Sequence, residues 1–92
     1  MTGVERIAKE RQRQIEEKGW TAEHDDVYEA EELLLAAKCY LSDNNLIRSK
    51  LWPFIGVCQD HSKDTHIRDL EKAGALIAAE IDRLERLKNK EG

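Results

Sequence analysis

Apolar residues recur along this chain at helical spacing in three stretches, and the polar runs between them carry turn and capping signals. The first stretch is Thr2 to Lys18. Val4, Ile7, Ala8, Arg11 and Ile15 mark one narrow face of it, and the remainder is charged. Thr2 and Glu5 have the spacing of a capping box, in which each side chain satisfies the other residue's backbone amide. Gly19 stands where a left-handed residue closes a helix, and Trp20 is expected to fold back on that end. Thr21 to Asp26 reads as a connector of about one turn. Asp25 or Asp26 caps the next helix, with Glu29 completing the box.

The second predicted helix is Val27 to Leu41. Ala30, Leu33, Leu34, Ala37 and Leu41 recur at spacings of three and four, widened by Ala36 and Tyr40, which is the stripe of a core helix. Ser42 to Asn45 is a run of turn formers. Leu46 to Leu51 reads as a helical turn, broken at Trp52-Pro53-Phe54, and Gly56 to Asp64 as a loop. The length of this loop suggests a local packing job for Trp52 and Phe54 or a functional one, and the sequence does not say which role the segment 52–64 has.

The third helix is predicted from a cap at Asp64 or Thr65 to about Lys88. Ile67, Leu70, Gly74, Ile77, Ile81 and Leu84 follow one another at intervals of 3, 4, 3, 4 and 3, a heptad seam. Beside it lie Ala73, Gly74, Ala75, Ala78 and Ala79, small enough to let another helix approach closely. At roughly 1.5 Å per residue this helix would measure some 36 Å, more than a small domain needs. The pattern predicts one all-α domain over residues 1–92, with three main helices in a bundle completed by oligomerisation, a dimer by preference.

Composition agrees. The chain has 92 residues, 37% of them charged and 5% aromatic, with one Pro and five Gly. That is too little turn material for a sandwich of short strands, and so few large apolar groups make a core that benefits from a second copy. A net charge of −4, with 15 basic residues dispersed among 19 acidic ones, argues against tracking a nucleic-acid backbone. No apolar run approaches the roughly 20 residues of a membrane span. The charged opening, MTGVERIAKERQ, does not read as a signal peptide. A cytoplasmic protein with Cys39 and Cys58 reduced is the expectation.

Four constellations could carry chemistry. Asp25, Glu29 and Glu32 share a helix face, and Glu80 sits beside the seam of the third helix. Hard cations take such carboxylates, so Mg²⁺ is the candidate cofactor at Asp25, Glu29, Glu32 and Glu80. The alternative is a solvated face that complements the helix dipole, in which case no cofactor is needed. Cys58, His61 and His66, with Cys39 and His24 elsewhere, have a loosely finger-like spacing, but zinc needs more local thiolates. A Cys–His nucleophile lacks an orienting third group. The segment Trp20 to Asp26 concentrates hydrogen-bonding groups, and with the neighbouring first helix it gives a candidate polar-ligand site of Glu10, Arg11, Gln14, Trp20, His24, Asp25 and Asp26. Its alternative is an aromatic clamp plus helix caps. None of these is a self-sufficient catalytic signature, so the reading leans away from an enzyme.

ERQRQ (residues 10–14), GWTAEHDD (19–26), AEELLLAAKCYL (30–41), Trp52-Pro53 and DLEKAGALIAAEIDRLER (69–86) together resemble a family of small, uncharacterised helical proteins carried by phages and prophages. The resemblance covers most of the chain. It implies an accessory protein whose partner is a host protein or a small polar ligand. A weaker similarity is to the MazG-type all-α nucleoside triphosphate pyrophosphohydrolases. It implies Mg²⁺ and a nucleotide held by Glu29, Glu32 and Glu80, although Leu35 stands where that pattern has a third Glu.

Overall fold

The computed structural model describes residues 1–25, 32–42, 52 and 66–91, and for 24, 25 and 91 the backbone alone. Four helices lie in these residues: α1 (Gly3–Lys18), α2 (Ala22–Asp25), α3 (Glu32–Leu41) and α4 (His66–Glu91). No strand occurs among the described residues. The all-α expectation holds. The stretch 26–31, the turn after Ser42 and the segment 53–65 lie outside the described residues.

Both ends of α1 form as the local sequence requires. The Thr2 amide donates to Glu5 Oε1 at 2.9 Å and the Glu5 amide to Thr2 Oγ1 at 3.2 Å, so two otherwise unpaired donors are satisfied reciprocally. The bond from the Thr2 amide, helped by the Thr2 side chain, holds the Glu5 carboxyl below its ordinary range. At the other end Gly19 adopts φ 72°, ψ 20°. That left-handed conformation costs glycine no Cβ clash, and it lets the Gly19 and Trp20 amides converge on the Gln14 carbonyl. The predicted one-turn connector is the short helix α2.

α4 is the spine. Its 26 residues span about 39 Å, against a longest molecular dimension of 43 Å and a thickness of 19 Å. α1, α2 and α3 all pack against it. It runs past the expected Lys88 to Glu91, with Lys88 and Lys90 in its last turn, where cations complement the helix dipole.

The core is thin and built of small residues. Leu33, Ala36, Ala37 and Tyr40 of α3 meet Ala73, Leu76 and Ala79 of α4, with Trp20 and Trp52 against the margin. Tyr40 and Trp52 make an edge-to-face pair, ring centroids 5.8 Å apart at 86°, the geometry favoured by the aromatic quadrupole. The alanine patch of α4 is thus used within the chain, letting α3 approach closely. Gly74 is used in the same way, because Ile7 of α1 lies over it. A Cβ at position 74 would stand 2.7 Å from Ile7 Cδ1.

One helix face differs from the periodic reading and one follows it. On α1 the buried residues are Glu10 and Gln14, whereas Val4 is 78% exposed. The face turned to α4 carries Ile7 beside charged residues, and the latter meet charged partners there. On α4 the aliphatics of the seam are outside the core: Ile67, Leu70, Ile77, Ile81 and Leu84, with Leu87 beyond them, are each between 39% and 56% exposed. Most of the large aliphatic groups of this helix face outward, while alanines and Leu76 are packed inside. No described helix is long and apolar enough to cross a membrane.

Candidate functional site

The densest polar arrangement lies where α1 crosses α4. Glu10, on the third turn of α1, has a side chain only 1% exposed. Arg13 reaches back one turn and grips it with both arms of its fork, Nε to Oε1 at 2.8 Å and Nη2 to Oε2 at 2.7 Å. From α4, Arg68 Nη2 donates to Glu10 Oε1 at 2.9 Å, and Arg68 Nη1 donates to Glu71 Oε1 at 2.5 Å. Glu71 Oε2 in turn accepts from Arg6 Nη1 at 3.3 Å, and Arg13 Nη1 donates to Glu17 at 3.1 Å. A chain of alternating charges therefore stitches α1 to α4.

Burial alone would raise the Glu10 carboxyl, but the guanidiniums of Arg13 and Arg68 outweigh it and leave it below its ordinary value. The Glu71 carboxyl is lowered chiefly by the hydrogen bond from Arg68. Arg13 and Arg68 are pushed to still higher pKa by the carboxylates they hold, against the opposing effect of burial. A carboxylate enclosed by two cations cannot lose one without leaving an uncompensated buried charge, so the junction fixes the angle between α1 and α4.

Above it opens a hollow of about 560 Å³ whose walls include Arg6, Glu10, Arg13, Glu17, Arg68 and Glu71. Cations and carboxylates alternate along these walls. A polar ligand entering it would exchange bonds with pairs that already exist.

The seven candidate ligand residues are divided by the fold. Glu10 and Gln14 enter the junction, with Gln14 Nε2 donating to Glu10 Oε2 at 3.4 Å. Gln14 Oε1 is buried without a hydrogen-bond partner. Arg11 is turned instead to the end of α1, where Nη1 donates to the Trp20 carbonyl at 3.0 Å. The Trp20 ring packs on the core margin. Arg86 of α4 reaches the Ala22 carbonyl at 3.5 Å and so ties down the start of α2. The side chains of His24 and Asp25, and the whole of Asp26, lie outside the described residues.

Of the four candidate metal ligands, Asp25 by its side chain and Glu29 altogether lie outside the described residues. Glu32 opens the described part of α3 and is half-buried. Glu80 is buried in α4, and both its oxygens are taken by Arg83, Nε to Oε1 at 2.6 Å and Nη2 to Oε2 at 3.1 Å. Among the described residues no group of three or more His, Cys, Asp and Glu gathers as a metal site. Glu80 lies nine residues beyond Glu71 on the same helix, roughly 14 Å along the axis, so it and the α1–α4 junction are separate places. Cys39 is buried on α3; Cys58 and His61 lie outside the described residues.

Sequence reasoning had no access to Arg68 and Glu71. Their spacing of three on one helix is a weak signal of a pair, and nothing in it says that α1 would supply the other half. The chain matches no known family model, no curated protein and no solved structure.

Proposed function

We propose that this protein is a non-catalytic helical binding module that acts as a homo-oligomer, a dimer in its simplest form. A phage-type accessory role fits the resemblance of its GWTAEHDD and KAGALIAAEIDRLER segments. The observation that carries the oligomer is the outer stripe of α4. Leu70, Ile77, Ile81 and Leu84 stand at i, i+7, i+11 and i+14, the seam of one helix packed along another, and all four are 39–56% exposed.

An identical helix is the occupant such spacing fits, because a two-fold interface presents the same stripe twice. Covering a half-exposed aliphatic side chain is worth about 1 kcal/mol. The six aliphatics of each copy then supply about 12 kcal/mol, against an association cost of about 4–15 kcal/mol. Only at the lower end of that cost does the stripe hold a dimer, with an affinity near micromolar. Pairing of two copies leaves the α1–α4 junction and the Trp20 corner open to a host protein or small polar ligand.

Light scattering after size exclusion tests this. At tens of micromolar the chain is expected to run as a dimer, and Ile77→Ser with Ile81→Ser as a monomer of unchanged helix content. A wild-type chain that stays monomeric throughout removes the oligomer from the proposal. A divergent Mg²⁺-dependent pyrophosphohydrolase is the second reading, resting on the weaker resemblance. It requires Glu80 to exchange Arg83 for a metal, and pyrophosphate release from nucleoside triphosphates that is lost in Glu29→Ala with Glu32→Ala is its test.

A further inference from the structure

On the side of α4 away from the stripe, a cleft of about 280 Å³ is lined by Arg13, Lys18, Tyr40, Arg68 and Lys72. Three helices contribute: Arg13 and Lys18 from α1, Tyr40 from α3, and Arg68 and Lys72 from α4. Four cations and a phenol converge here, in a chain of net charge −4. No acidic side chain lines the cleft among the described residues. With about 100° between successive residues of a helix, Lys72 lies roughly 200° round α4 from Leu70, so the cleft stays open when the stripe is covered.

The two arginines are held in place from behind. Glu10 bonds the fork of Arg13 at 2.7 and 2.8 Å and Arg68 at 2.9 Å, Glu17 accepts from Arg13 Nη1 at 3.1 Å, and Glu71 takes the other arm of Arg68, so each guanidinium has only its remaining N–H groups to offer a ligand. The two arginine side chains are nonetheless about a third exposed, 32% and 35%. Their rotamers are fixed before anything binds, so a ligand does not have to order them. Lys72 is placed in its turn, with Nζ 5.6 Å from the centroid of the Tyr40 ring, within the range of a cation–π contact. Planar forks and ammonium groups meeting at one concavity are what phosphate oxygens select.

We propose that this cleft is a binding site for a small phosphate-bearing molecule, with Arg13 and Arg68 as the fixed donors and Lys18 and Lys72 closing over the anion. A single phosphate or diphosphate group fits better than a polynucleotide. The cleft is just smaller than a drug-sized pocket of about 300 Å³, and the mixed charges on the rest of the surface would repel a long phosphate backbone.

The test is titration calorimetry of the full chain with inorganic pyrophosphate, at ionic strength held constant with sodium chloride. One saturable site per chain is expected. Lys72→Ala should weaken it about tenfold, the loss of one charge-assisted contact. Lys18→Ala with Lys72→Ala should bring it below detection, and Lys72→Arg should restore most of it. Circular dichroism of each variant must match wild type; the ion pairs that join α1 to α4 are made by other residues, Glu10 with Arg68 and Arg6 with Glu71. Pyrophosphate that binds no better than chloride, or equally well to the double variant, overturns the site. Saturable binding to single-stranded DNA but not to pyrophosphate overturns it as well. The result is independent of the oligomer, which is read by light scattering alone.

Discussion

Gly74→Ala sets two opposing effects against each other at one position, and the structure says which wins. In the middle of α4 the substitution gains up to about 1 kcal/mol of helix propensity, because glycine loses more backbone freedom on folding. The new methyl group would stand 2.7 Å from Ile7 Cδ1 and 2.9 Å from Ile7 Cγ1. Carbon atoms settle at no less than about 3.5 Å, so both contacts are short by roughly 0.6–0.8 Å. Cδ1 can swing aside, but Cγ1 is on the branched Cβ and has little freedom in a helix. Relief therefore needs α1 to move, and α1 is pinned by Glu10–Arg68 and Arg6–Glu71. Overpacking of this kind costs about 1–3 kcal/mol. The net expectation is a loss of about 1 kcal/mol, or a Tm lower by about 4–8 °C for a domain of this length. The decisive comparison is the same change in an Ile7→Ala background. There the clash is gone and Gly74→Ala should stabilise by about 1 kcal/mol, the propensity gain alone. Urea unfolding of all four proteins followed by circular dichroism, at one protein concentration so that any self-association is common to them, gives the coupling energy directly. If Gly74→Ala stabilises both backgrounds equally, the close α1–α4 crossing is not present in solution.

The ionic junction predicts acid sensitivity. Glu10 and Glu71 sit below their ordinary value of 4.5 when folded. The unfolded chain therefore binds protons on them first as pH falls, so their contribution is complete above about pH 5 and is lost as pH drops through their folded values. Melting temperature should fall below pH 4.5 with a shallower slope in Glu10→Gln, and identical slopes would remove Glu10 from the network. Gln14→Leu should be neutral or stabilising by about 1 kcal/mol, since it removes a buried acceptor that has no partner. A loss of more than that in urea unfolding would mean that Gln14 Oε1 is bonded in solution.

Local physics was enough to place the helices. The Thr2–Glu5 box and Gly19 terminate α1 through bonds spanning six residues or fewer, and the α4 pattern depends only on periodicity within one element. Such features can be read from order along the chain because the interacting groups are neighbours in it. The sequence also indicated that the α4 stripe has no internal use for all its aliphatics, since a heptad seam of that length exceeds what one small core can cover. What it could not determine was which face of each helix turns inward. Val4 belongs to the apolar pattern of α1 and is exposed, whereas Glu10 is a charged residue and is buried, because Arg68 stands 58 positions away and supplies the charge that makes its burial tolerable. Gly74 reads as part of a seam for another chain until Ile7 is seen lying on it. The cationic cleft is of the same kind: Lys18, Tyr40 and Lys72 are unremarkable in their own helices, and only the crossing of α1 and α3 over α4 brings them to one place. Burial of charge and convergence of donors are properties of pairs distant in sequence, so the tertiary structure alone could decide them.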